Sequence, residues 1–289
     1  MDEIHEHLRN LLPLDRVTRR TFVATTLATG FAVSVRPVSA ATITTSSAGL
    51  VAGEVQIPVR DGHIPAYRAC PASGGPFPTV LVIHEIFGVH EWVKDICRRL
   101  AHAGYFAVAA QLYARHGEPA AAPDLDAVMA LVSKVPDAEV AADVDATVAW
   151  TGTTGKADTA RLGVTGFCWG GRQTWLYAEH NPKLKAAVAW YGPLGYPADA
   201  RHPKNPPDLV GALEVPVLGL YGAEDHGIPN SQVQAFAVAL HNAHKQCQFV
   251  VYPGAGHGFA ADYRPSYNEA AAKDGWRRML AWFKSHGVA

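Results

Sequence analysis

One hexapeptide restricts the choice of fold more than any other stretch of this chain: Gly166-Phe167-Cys168-Trp169-Gly170-Gly171. An apolar run, Leu162 to Thr165, leads into it, and a helix-compatible segment, Arg172 to His180, leaves it. This is the G-x-nucleophile-x-G pattern of a sharp strand-to-helix turn, with cysteine at the nucleophile position. Strand and helix converge there, so the residues two positions either side of the nucleophile must be small. Gly166 and Gly170 meet that need. The turn also sets Cys168 at a helix N-terminus, where the helix dipole favours thiolate over thiol. A lone cysteine beside a glycine turn is also a common structural feature, so the rest of the chain has to decide.

The 289 residues suit one large α/β domain. A net charge of −1 gives no footprint for nucleic acid or an acidic membrane surface. The four cysteines, Cys70, Cys97, Cys168 and Cys247, show neither C-x-x-C spacing nor a disulfide framework. Thr18-Arg19-Arg20-Thr21-Phe22-Val23 resembles a twin-arginine export signal. It is followed by an uncharged run to Val35 that is shorter than the ~20 apolar residues of a membrane span. Val38-Ser39-Ala40 then offers small residues for a signal peptidase. The expected division is a signal peptide at residues 1–40, a linker at 41–53 and a single domain at 54–289. An exported, periplasmic or secreted location follows, with no stable membrane span after cleavage.

Along the mature chain, Glu54 to Arg60 and Ile64 to Cys70 read as a hairpin around Asp61-Gly62. Thr79 to His84, Phe106 to Ala110, Ala186 to Tyr191, Val215 to Tyr221 and Gln248 to Tyr252 read as strands, most of them continuous apolar runs covered on both faces. Helical patterns at Glu91–Ala103, Asp137–Trp150, Asn230–Asn242 and Tyr267–Ser285 alternate with them, while Glu118 to Pro136 reads as looser. The pattern predicts an α/β fold with a mostly parallel central sheet and helices on both faces. In such sheets ligands sit at the carboxyl ends of the strands. His84-Glu85-Ile86-Phe87-Gly88, Tyr113-Ala114-Arg115, Cys168, Glu224-Asp225 and His257 all fall there. Nucleophile, acid and histidine follow the chain order of α/β-hydrolases. Cys168 is thus the candidate nucleophile, His257 the base and Asp225 its orienting acid. The backbone N–H groups of Ile86 and Trp169 are candidates for an oxyanion hole. His84-Glu85 lacks the second histidine of a zinc-binding H-E-x-x-H, because Gly88 stands in its place, and no Walker or dinucleotide glycine pattern occurs. No cofactor or metal is therefore expected.

These motifs, with Leu112-Tyr113-Ala114-Arg115 and Gly256-His257-Gly258-Phe259, resemble the dienelactone hydrolases (carboxymethylenebutenolidases) over roughly the whole mature chain. The resemblance implies an α/β-hydrolase fold and a Cys-His-Asp triad of Cys168, His257 and Asp225. It implies a small lactone or ester substrate cleaved through a cysteine thioester. It further implies that Glu85 takes the thiol proton once substrate arrives, and that Arg115 pairs with Glu85 at rest and then holds the substrate carboxylate. One position departs from the family pattern: Ala261 stands where dienelactone-specific members carry a second substrate-binding arginine, and Arg264 lies nearby. A broader carboxylesterase or thioesterase on the same scaffold, or a binding protein without turnover, are the alternatives. The export reading has its own test. A reporter fused to residues 1–41 should leave the cytoplasm by the twin-arginine route, and replacing Arg19 and Arg20 with lysine should hold it there.

Overall fold

A computed structural model describes residues 44–289. The export signal expected at residues 1–40 lies outside them. Eight strands form one sheet: β1 (Leu50–Val59), β2 (Gly62–Pro71), β3 (Phe77–Ile83), β4 (Phe106–Ala110), β5 (Ala157–Phe167), β6 (Ala186–Trp190), β7 (Val217–Gly222) and β8 (Cys247–Tyr252). Their spatial order is β1-β2-β4-β3-β5-β6-β7-β8. β2 pairs antiparallel with β1 and β4, and every pair from β4 to β8 is parallel. This is the expected α/β-hydrolase architecture. β1 starts at Leu50, inside the stretch expected to be linker, because the hairpin register runs on to Leu50 opposite Pro71.

The helices are α1 (Glu91–His102), α2 (Leu125–Val132), α3 (Asp137–Thr153), α4 (Trp169–His180), α5 (Asn230–Asn242) and α6 (Glu269–Ser285). α2 falls in the segment read as loose. Its eight residues are too few for a strong periodic signal, but Asp124 caps it by accepting a hydrogen bond from the Ala127 N–H at 2.8 Å. The closing helix starts at Glu269 rather than Tyr267, where the Asn268 side chain accepts from the Ala271 N–H. A 3₁₀ turn at Pro206–Ala212, absent from the sequence reading, leads into β7.

Composition explains how closely the layers approach. β4 and β6 are rich in alanine and buried at every position, so helices can settle near the sheet backbone. The closest approach is at α4. A Cβ on Gly166 would lie 2.2 Å from the Gly170 carbonyl oxygen, and one on Gly170 would lie 2.3 Å from that of Ile83. A Cβ on Gly171 would lie 2.4 Å from the Trp190 carbonyl oxygen. Backbone cannot move aside as a flexible side chain can, so these glycines allow α4 to start directly above β3, β5 and β6. Gly166→Ala should therefore cost about 3 kcal/mol in urea unfolding. Gly211→Ala, whose new methyl meets nothing within 4 Å, should stay within about 0.5 kcal/mol of wild type.

Candidate active site

Cys168 ends the approach of β5 and caps α4 with φ 56° and ψ −122°. Left-handed φ is costly for a residue with a side chain. It is fixed here from both sides: the Cys168 N–H donates to the Trp190 carbonyl at 3.0 Å, and its own carbonyl accepts from the N–H of Gly171 at 2.8 Å. The residue is 2% exposed, and its thiol faces a cavity of about 240 Å³. Ile86, Trp169, Met129, Val132, Tyr196 and Pro197 give that cavity a mainly apolar wall. Ile86 comes from the turn after β3 and Trp169 opens α4, so both oxyanion-hole candidates border the same space as the thiol.

The loop after β8 delivers His257, fully buried. Its Nδ1 bonds Asp225 Oδ2 at 2.7 Å. Asp225 follows β7 and is held in turn, because its Oδ1 accepts from the N–H groups of Gly227 and Ile228 at 3.0 and 3.1 Å. Burial alone would lower the imidazole's pKa. The Asp225 carboxylate outweighs it, and the net direction is upward, with Cys168 as a further hydrogen-bonding partner. Cys168, His257 and Asp225 therefore meet at the carboxyl edge of the sheet. Tyr191, another residue with positive φ, sets its ring edge-on to His257 at 5.1 Å.

Glu85 lies at the same edge, with no solvent exposure. The expected pair with Arg115 does not form. Arg115 turns outward, where its Nε and Nη2 reach Asp61 at 2.7 Å and its Nη1 reaches Asp143 at 2.5 Å. Two carboxylates from the β1–β2 turn and α3 saturate that guanidinium, which leaves it no fork for a substrate. Glu85 pairs instead with Arg264: Nη2 donates to Oε2 at 2.6 Å, and the Tyr263 hydroxyl donates to the same oxygen at 2.7 Å. His90 Nε2 stands 3.8 Å away. Two successive turns, Ala261 N–H to Gly258 O and Arg264 N–H to Ala261 O, coil the chain back and carry Arg264 into the site. Ala261 is buried within that coil. Tyr263 and His90 escaped the sequence reading. The only signal for Arg264 was its nearness to His257, because a coil of this kind has no periodic pattern.

Arg264 is buried between the rings of Phe87 and Tyr263, with its guanidinium carbon 5.0 Å from each centroid. Its charge also reaches Cys168. Burial would raise the Glu85 carboxyl pKa, but Arg264 and His90 hold it down, to about 2. Glu85 Oε1 has no hydrogen-bond partner among the described residues. The site thus holds two balanced charge systems around one thiol: Asp225 with His257, and Glu85 with Arg264.

A model of the dienelactone hydrolase family matches residues 64–287. A protein of Methylorubrum extorquens, named provisionally as a carboxymethylenebutenolidase, is 58% identical over 284 residues, which span 98% of both chains. An Escherichia coli protein with the same provisional name is 50% identical over 92% of this chain and 98% of its own. A crystal structure from Klebsiella pneumoniae, provisionally named a dienelactone hydrolase, superposes with a TM-score of 0.80 at 53% identity. It covers 81% of this chain and 98% of that one.

The Glu85 environment carries a pH signature. A carboxyl held below its ordinary value of 4.5 stabilises the fold above that pH, and the contribution disappears as pH falls toward about 2. The stability difference between wild type and Glu85→Gln should therefore be constant above pH 5 and shrink on acidification. At neutral pH Arg264→Met leaves Glu85 buried without its cation and should cost about 3–5 kcal/mol. The double variant Glu85→Gln with Arg264→Met should cost less than Arg264→Met alone. A double-variant loss equal to the sum of the two single losses in urea titration would show that the pair is not coupled.

Proposed function

The chain belongs to the dienelactone hydrolase family and is an ester and lactone hydrolase of that kind; we propose that Cys168, His257 and Asp225 perform its chemistry. The carrying observation is the bond from His257 Nδ1 to Asp225 Oδ2 at 2.7 Å behind a nucleophile fixed on a strained elbow. His257 takes the thiol proton as Cys168 Sγ bonds to the substrate carbonyl carbon. The carbonyl electron pair moves onto oxygen, where the N–H groups of Ile86 and Trp169 meet it. The tetrahedral intermediate collapses, the C–O bond to the alcohol breaks, and the imidazolium returns the proton to the departing alkoxide. In a lactone that alcohol stays tethered to the acyl group. Water then attacks the thioester with His257 as base, releasing the acid and restoring the thiol.

Arg264 takes the place that the sequence reading gave to Arg115. It guards Glu85 at rest, and a substrate carboxylate that draws Arg264 away leaves Glu85 free to take the thiol proton first and hand it on to His257. What supports this reading is the burial of the pair, its reach to Cys168, and the absence of a hydrogen-bond partner for Glu85 Oε1 among the described residues. A carboxylated lactone is accordingly the first substrate to test. Residues 1–40 act in this reading as a twin-arginine export signal, supported by Arg19-Arg20 and the apolar run behind them. The mature enzyme then works in the periplasm or outside the cell.

Cys168→Ala should abolish lactone and p-nitrophenyl acetate hydrolysis while leaving the unfolding curve close to wild type. His257→Ala and Asp225→Asn should each lose about a hundredfold or more in kcat, and the double variant little beyond the worse single one. Turnover surviving in Cys168→Ala would remove the thioester mechanism.

A further inference from the structure

His84 is a histidine of this sheet edge that the mechanism above leaves unused. It has no solvent exposure, yet both ring nitrogens are engaged. The Leu112 N–H donates to Nε2 at 3.1 Å. A backbone N–H can only donate, so Nε2 bears the lone pair and the ring proton sits on Nδ1. Nδ1 therefore donates to the Glu85 carbonyl at 2.7 Å. Burial favours this neutral form and pushes the pKa down to about 4.

The Glu85 carbonyl has a second role. It accepts the Gly88 N–H at 3.3 Å, which closes the four-residue turn that carries Ile86. Gly88 takes φ 74° there. His84 thus holds the turn's anchoring carbonyl and ties it to the chain leaving β4. Its ring lies nearly parallel to the Trp169 indole, 5.5 Å between centroids and 15° between planes. Tyr113 closes it edge-on at 4.7 Å. Beneath it, the His84 carbonyl oxygen would stand 2.4 Å from a Cβ on Gly170. One rigid ring accordingly touches the two segments that carry the two oxyanion donors, the turn of Ile86 and the first residue of α4.

We infer that His84 is a neutral positioning residue: as a brace between the Glu85 carbonyl, the Leu112 N–H and the Trp169 ring, it sets the spacing of the Ile86 and Trp169 N–H groups. It touches neither the thiol nor the substrate, and it meets Glu85 only at the backbone carbonyl, so it differs from His257 in what its loss should do. Hydrogen bonds to a developing oxyanion act mainly in the transition state. A brace that fixes their spacing therefore affects kcat and leaves KM nearly alone.

The inference rests on the hydrolase reading above, and its test separates the two. His84→Phe keeps an aromatic ring against Trp169 and removes both hydrogen bonds. His84→Gln restores one donor and one acceptor on a flexible arm. For p-nitrophenyl acetate, His84→Phe should lower kcat about ten- to a hundredfold with KM within about twofold. His84→Gln should recover part of the loss. Alkylation of Cys168 by iodoacetamide needs the thiolate but forms no oxyanion, so its rate should stay within about twofold of wild type in both variants. Unchanged kcat in His84→Phe would overturn the inference, as would alkylation that falls in step with kcat, because His84 would then act on the thiol or on the fold. If His84→Phe does not fold, the same two readouts on His84→Gln decide: a lower kcat with normal alkylation supports the brace, and any other result overturns it. Wild type that leaves the ester intact would sink the hydrolase reading, and the role of His84 with it.

Discussion

Everything at the catalytic edge depends on backbone pressed against backbone where α4 begins. The carbonyls of Ile83, Gly170 and Trp190 occupy the space that side chains on Gly170, Gly166 and Gly171 would need. That contact forces the left-handed φ of Cys168 and pushes its thiol above the sheet. It also fixes where the first N–H groups of α4 point. Local strain of this kind costs about 1–3 kcal/mol and persists only if the surroundings over-determine it. The surroundings here are a parallel sheet whose strands β3 to β7 are buried along nearly all of their catalytic halves. A rigid sheet thus stabilises a strained turn, and the strained turn presents a reactive group.

Around that turn the charges are arranged in closed pairs. His257 is matched with Asp225, and Arg264 with Glu85. Burial would penalise any one of these groups alone, and each pair offsets its own penalty. Arg172, which lines the same cavity as the thiol, is matched with Asp137, and Arg115, at the rim, with Asp61 and Asp143. Arg115 and Arg264 therefore have different tasks despite their similar chemistry. Arg115 ties the β1–β2 turn to α3 at the rim, where it is partly exposed. Arg264 sits inside a box of aromatic rings and a carboxylate, so its charge is scarcely screened by water.

The legible parts of this molecule were those with a local signature. The elbow glycines, the continuous apolar strands and the strand-end positions of Cys168, Asp225 and His257 can all be read because each depends on neighbours within a few residues. Helix α2 was missed because eight residues complete barely two turns and its cap, Asp124, is an ordinary loop residue. The partner of Glu85 was misassigned for a different reason. Which arginine folds back depends on two tight turns after Phe259, and no spacing in the sequence encodes their direction. His84 looked like half of a failed zinc motif, and its packing against Trp169 joins residues that are 85 positions apart in the chain. The twin-arginine pattern proposed as an export signal was equally local, but it belongs to residues outside the described fold.

The cavity beside the thiol is divided in a way that bears on how such an enzyme changes over generations. One wall, Cys168, Trp169 and Ile86, is carried by the elbow and by the turn after β3. The rest of the wall includes Met129 and Val132 of α2 with Tyr196 and Pro197 of the loop after β6, which together form its outer part. Substitutions in that outer wall can reshape the space offered to a substrate without disturbing the elbow or its charge pairs. Tyr196 is the link between the two parts, because its ring lies against Arg172 of α4. Changes in a short helix and a loop therefore alter the shape of the space beside the thiol, while the glycine contacts that fix the elbow stay in place.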